Sequence, residues 1–282
     1  MDLAALAALY SVMAWAVAAA LIGSGYVDVS IGDTAVAAMY LFLACGFEVF
    51  SPSVVFLITG LWVFREFLHR YLFSRIASGR GAGERMILAG LGVAILLASL
   101  LELFGMKVSW RALAVPSILQ IQLGADIVLT SWQSVRLAGC LVAVAGCAAI
   151  FLMGAGRLLP LIRDNRQLSI ALGLPVRQAA AHSRALASVL ACVAAVSFFV
   201  ASGLRPSGGL EITVTGFIIA AASGRSMRFI PLMSLLLAGV QIIVGGFTET
   251  FWARYVALLA VGSVAILNPE TRRMRIVDGP NG

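Results

Sequence analysis

The chain has 282 residues, of which 61% are apolar and only 12% charged, with a mean hydropathy of +1.00 and a net charge of +7. Soluble domains carry roughly a quarter charged residues, so a water-soluble globular protein is excluded. Such a chain belongs in lipid, where every backbone amide must be satisfied internally. Helices rather than a barrel are implied, because the apolar runs are long and show no period-2 alternation. The basic excess does not point to nucleic acid, since the arginines gather at the ends of apolar runs.

A helix needs about 20 apolar residues to cross a bilayer core. In chain order the spans predicted this way are 3–23, 52–70, 86–105, 135–156, 185–203, 228–246 and 251–267. Residues 1–23 lack a basic start and a polar cleavage region, and read as a retained helix rather than a signal peptide. Two shorter apolar stretches, 34–50 and 211–223, are expected to cross only partly. The fold class is therefore all-α: a polytopic helical bundle of 8–9 membrane segments, one domain over 1–282.

Arginine sets the orientation. Arg65, Arg70, Arg75, Arg80 and Arg85 form one cluster, and Arg157, Arg163, Arg166, Arg177 and Arg184 a second. Arg272, Arg273 and Arg275 end the chain. These stretches should face the cytoplasm, which places 106–134 outside. The side of the N-terminus stays open: outside if 34–50 crosses fully, inside if it is re-entrant.

The two short stretches resemble each other. Each follows a long apolar helix ending at Ser-Gly (Ser24-Gly25, Ser202-Gly203). A polar loop then carries acid (Asp28 and Asp33, or Glu211), and an Ala-rich helix with threonine follows. An internal repeat and a shared Ala/Gly-rich composition account for this equally well. Paired short helices in duplicated halves line substrate paths in transporters. On that reading Thr34, Thr213, Thr215 and Ser223 belong to a translocation path.

The stretch 157–184 carries the most information. Pro160 suits a first helical turn, and Gly173 followed by Pro175 is a stop signal. Between them Leu161, Leu168 and Leu172 share one face, and Arg163, Arg166 and Gln167 the other. An amphipathic helix between two spans either lies at the lipid headgroups or offers a docking surface to a soluble partner.

Asp164, Ala171, Leu172, Gly173 and Leu174 stand in the order and spacing of one family's cytoplasmic loop: an acid, an alanine, Leu-Gly-hydrophobic, then a long apolar helix. In this the chain resembles permeases of the branched-chain amino acid ABC importer family and the related tryptophan/tyrosine-type permeases. The stretch Tyr26-Val27-Asp28-Val29-Ser30-Ile31-Gly32-Asp33-Thr34 also resembles that family's early loop. Two places depart from it: Ser223-Gly224-Arg225-Ser226-Met227 replaces a Gly-Gly-x-Gly-Ser turn, and Asn268-Pro269-Glu270 replaces Arg-Pro-x-Gly.

The resemblance implies the permease subunit of a bacterial ABC importer, multi-pass in the inner membrane, moving a small, amino acid-like solute. It implies that 157–184 is the coupling loop and its helix 161–173 the ATPase dock, with Arg163, Asp164, Asn165, Ala171, Leu172, Gly173 and Leu174 seated in a groove of the ATPase. Implied partners are ATPase subunits, a second copy or paralogue of the permease, a periplasmic binding protein and lipid, with no nucleic acid. The chain carries no Gly-x-x-x-x-Gly-Lys-Ser/Thr loop, so ATP falls to the partner, and no enzymatic activity or cofactor is expected of the chain itself.

Other polar residues read as structural. Cys45, Cys140, Cys147 and Cys192 lie in apolar runs without a metal-binding pattern, and no metal is expected. His69 and His182 sit beside arginines as interfacial anchors. Gln120, Gln122, Asp126, Trp132 and Gln133 fit an outer loop, and Glu48 and Glu102 the outer helix ends. Arg225 and Arg228 fit either an inner turn or a cavity lining. The competing function is a secondary transporter driven by an ion gradient. It would need charges deep in the spans, and 86–105, 135–156 and 185–203 hold almost none.

Overall fold

The computed structural model describes residues 2–47, 52–76, 82–104, 121–122, 128–129, 166–202, 204–224, 229–247 and 250–267. Within these lie nine helices: α1 (Asp2–Ser24), α2 (Ile31–Ala44), α3 (Val54–Leu68), α4 (Ala82–Leu103), α5 (Arg166–Ala171), α6 (Val176–Ser202), α7 (Gly208–Ala222), α8 (Ile230–Gly245) and α9 (Thr250–Leu267). A π-helical turn, His69–Phe73, and a last turn, Ser74–Ile76, prolong α3. The strands β1 (Ile121–Gln122) and β2 (Val128–Leu129) form a short antiparallel ladder within the predicted outer segment. The protein is a polytopic helical membrane bundle. The predicted span 135–156 lies outside the described residues, as do Arg163, Asp164, Asn165, Gln120, Asp126, Trp132, Gln133, Glu48, Arg225 and Arg228.

Helix α1 lies at the centre. It is apolar on every side, which favours burial all round. It packs against α6, α7 and α8, and 78% of its apolar window is buried against 22% in α4. Alanine makes close packing possible: Ala14, Ala16, Ala187 and Ala194 are fully enclosed. Large side chains of α3, α4 and α9, such as Phe56, Leu88, Ile95 and Leu259, point outward, as lipid-facing residues do.

Helices α1 and α6 run antiparallel. Ser183 Oγ donates to the Ala19 carbonyl at 2.7 Å, while one turn further along α1 there is no room beside Gly23, which packs on the Ala180 carbonyl and Arg184. Arg184 also meets Glu66 of α3. The two arginine clusters predicted to face the cytoplasm thus meet, through Arg70 and Arg184 on Glu66, at one end of the bundle. With that end inside, α1 begins on the opposite side, and the chain through α2 leads back from the Arg65–Asp28 end to the Phe47–Phe56 contact at the start of α3, so the 34–50 stretch carries the chain across rather than re-entering.

Candidate functional site

Helices α2 and α7 have 14 and 15 residues. At 1.5 Å per residue each helix spans about 21–23 Å, short of the hydrocarbon core. Each begins after a serine, Ser30 or Ser207, and the second residue of each helix is glycine, Gly32 or Gly209. The helices cross at these glycines. A Cβ on Gly32 would lie 2.1 Å from the Gly209 carbonyl oxygen, and one on Gly209 would lie 2.5 Å from Asp33 Cα.

Two helix N-termini meeting inside a membrane leave unpaired N–H groups that need acceptors. Each helix supplies one for the other. The Gly32 N–H donates to Thr213 Oγ1 of α7 at 2.9 Å, and the Leu210 N–H of α7 serves the Asp33 carboxylate of α2. Asp33 is 3% exposed, and its Oδ2 meets no donor among the described residues. The two stretches that resemble each other in sequence are therefore also matched in position, about a reciprocal contact.

An arginine from a neighbouring helix grips each short helix. Arg65 of α3 pairs with Asp28 at 2.8 Å and reaches Thr34 Oγ1 at 3.5 Å. Arg254 of α9 pairs with Glu211 of α7, reaches Thr215 Oγ1 at 3.4 Å, and lies over the Phe198 ring. Asp28 also folds its own loop: Oδ1 accepts from the Ser30 N–H at 3.0 Å and the Ser30 hydroxyl at 2.7 Å, a local turn typical of aspartate.

Of the residues assigned to a translocation path, Thr34, Thr213 and Thr215 gather at this crossing or its arginine grips, while Ser223 lies at the far end of α7. All four are buried, and each hydroxyl donates to a carbonyl of its own helix: Ile31, Gly209, Glu211 and Ile219. Asp33, Arg65 and Arg254 were not among the site residues read from the sequence. The available signal for Asp33 was an acid beside a glycine at the start of an apolar run.

At the shared end of α1, α3 and α6, Arg184 forks onto Glu66, with Nε to Oε2 at 3.0 Å and Nη2 to Oε1 at 3.1 Å, and donates to the Gly23 carbonyl at 3.1 Å. His69 is more than a surface anchor: its Nδ1 and the Tyr26 hydroxyl share a hydrogen bond of 2.9 Å, and the rings stack. Burial, reinforced by the Asp28 charge, pushes the Tyr26 hydroxyl well above its ordinary range, so it stays protonated. His182 is exposed. The Asp28, Glu66 and Arg184 side chains line a cleft of about 20 Å³, room for water but not for a solute. Among the described residues no three His, Cys, Asp or Glu side chains come together as a metal site would require.

The predicted docking segment is described from Arg166. Helix α5 ends in a Schellman motif: the Gly173 N–H donates to the Ile170 carbonyl, the Leu174 N–H to the Ser169 carbonyl, and Gly173 has φ +70°. Ala171, Leu172 and Gly173 are exposed and Leu174 half-buried. Ser169 is enclosed, whereas Leu168, Ile170 and Leu172 are 49%, 61% and 61% exposed. The turn presents its apolar side chains outward and anchors itself through a small polar one.

No protein-family model and no curated protein matches the chain. Among solved structures it is similar in fold to a chain of PsaBC from Streptococcus pneumoniae, solved in complex with Fab. The identity is 15% and the TM-score 0.59, and the match covers 96% of this chain and 92% of the other.

Proposed function

We propose that the chain is the membrane-spanning permease subunit of a bacterial ABC importer for a small, amino acid-like solute. It resides in the inner membrane. A separate ATPase docks on the 166–174 turn and hydrolyses the ATP, and a periplasmic binding protein delivers solute to the opposite face. A second permease copy or a paralogue completes the pore. The observation that carries the reading is the exposed Leu168/Ile170/Leu172 turn, fastened by its cap at the arginine-rich end of the bundle. Apolar side chains held rigidly outward beside charge suit a protein groove. The fold shared with the PsaBC chain supports an architecture of this kind along nearly the whole chain.

The test is co-purification with the ATPase. Ile170→Glu and Leu172→Glu leave the fold intact, because both side chains are exposed. Each is expected to reduce ATPase recovery by about tenfold or more, the effect of burying a charge at the centre of an interface. Gly173→Val, which forces a β-branched residue to φ +70°, is expected to act the same way by deforming the cap. Unchanged recovery in all three removes the docking assignment.

One observation favours the ion-driven reading: Asp33 is an acid buried deep in the bundle with an unmatched oxygen, the feature expected at an ion-coupling site. Asp33→Asn separates the two readings, because the amide preserves shape and an acceptor for the Leu210 N–H. In an ATP-driven importer, ATP-dependent uptake into proteoliposomes persists within about threefold. In an ion-driven carrier, gradient-dependent uptake falls by about two orders of magnitude.

A further inference from the structure

Two ion pairs close the arginine-rich end of the bundle, and they differ in what opening them would entail. All four side chains border the same small cleft, but the Arg65–Asp28 side chains are only 9% and 10% exposed, so parting them is the more costly opening. The Arg184 and Glu66 side chains are each 18% exposed, about twice as much. Glu66 also has a second partner in Arg70, itself largely in solvent. Parting Arg184 from Glu66 therefore leaves Glu66 with a cation at its side rather than orphaning it.

Arg184 is also mechanically placed. The docking turn runs directly into α6: the Leu174-to-Ser169 hydrogen bond closes the turn, and the Val176 N–H on the Leu174 carbonyl at 2.7 Å and the Ala179 N–H on the Pro175 carbonyl at 3.0 Å join it to the helix. From Val176 to Arg184 is eight residues of unbroken helix, about 12 Å. A tilt of the docking turn is thus carried by a rigid lever to Arg184, whose side chain ties α6 to both α1 and α3.

We propose that the Arg184 fork on Glu66 and the Gly23 carbonyl is the inner latch of the bundle. Movement of the docking turn opens it by drawing α6 away from α1 and α3, while Arg65–Asp28 holds the loop 25–30 in place. The proposal rests on the permease reading for the source of the movement. Arg184 acts through helix position and is a positioning residue.

The test places a reporter in the cleft. Ser188 of α6 lines it and is 1% exposed. Ser188→Cys, in a chain whose Cys45, Cys140, Cys147 and Cys192 are replaced by alanine, is treated with a water-soluble maleimide in inside-out vesicles, with and without the ATPase and ATP. With the latch intact, labelling is slow and ATP accelerates it about tenfold; with Arg184→Gln it is fast throughout and ATP changes it less than about twofold. Arg184→Lys, which keeps the charge but not the fork, falls between. Slow labelling with a full ATP response in Arg184→Gln overturns the proposal. Should that variant not accumulate, Glu66→Gln and Arg184→Lys make the same comparison, and failure of all three to accumulate marks Arg184 as a folding residue and overturns the latch. Absence of any ATPase on the unaltered chain refutes the permease reading instead. The nucleotide-free labelling rates then still decide whether Arg184 closes this end.

Discussion

Gly209→Ala is expected to remove most of the folded protein, although it adds a single methyl group. That methyl would sit 2.5 Å from both the backbone nitrogen and the Cα of Asp33. Backbone cannot swing aside as a flexible side chain can, so α2 and α7 must separate. Separation lengthens the Gly32-to-Thr213 hydrogen bond and strips the Leu210 N–H from Asp33 in a region without water to replace them. Overpacking costs about 1–3 kcal/mol, and lost hydrogen bonds place this site at or above the top of that range. The measurement is the thermal midpoint of the detergent-extracted protein, followed by its monodisperse fraction after heating. Gly92→Ala is the control: a Cβ there meets nothing within 4 Å, and the change is expected to leave the midpoint unaltered or raise it slightly. Equal midpoints for Gly209→Ala and the unaltered protein would show that the crossing is not held as tightly as described.

Arg65→Leu is the second large effect. It leaves the Asp28 carboxylate enclosed without its cation, and breaking one side of a buried pair costs about 3–5 kcal/mol. The damage should be partly reversed by adding Asp28→Asn, because the amide keeps the acceptor for Ser30 while removing the stranded charge. A midpoint for the double variant above that of Arg65→Leu alone is the expected sign. Removing the exposed partner Arg70, which pairs with Glu66 from a side chain 71% exposed, is expected to shift the midpoint little, as surface pairs contribute about 0–1 kcal/mol.

The helices were legible because hydropathy is local. Residues 3–23 and 251–267 were read to within one residue of α1 and α9. The short stretch 34–50 was placed late, since α2 begins at Ile31, and α6 begins nine residues before the predicted 185. Both misses have one cause. Polar residues at a helix start, such as Asp33, Arg177 and Arg184, lower the hydropathy while continuing the helix. The stop at Gly173 was legible because a positive φ before a Pro is a property of a few consecutive residues.

The crossing was not legible. Glycine is common in this chain, and Gly60, Gly92 and Gly262 face open space. What distinguishes Gly32 and Gly209 is that α1 and α6 bring two helix starts together there. Likewise Arg65 reads as one more arginine in a cytoplasmic cluster, and its inward turn onto Asp28 depends on where α3 stands beside the loop 25–30.

The sequence by itself determined that the chain lives in a membrane as helices, where most of those helices run, which end gathers the arginines, and that an apolar turn stops at Gly173. Each follows from composition, helical period or a short motif, and so from residues near one another in the chain. Only the tertiary structure decided which glycines touch, which acids are buried, and that Arg184 rather than another arginine joins three helices. Such choices depend on contacts between distant segments, set by how small side chains let α1, α2, α6 and α7 approach.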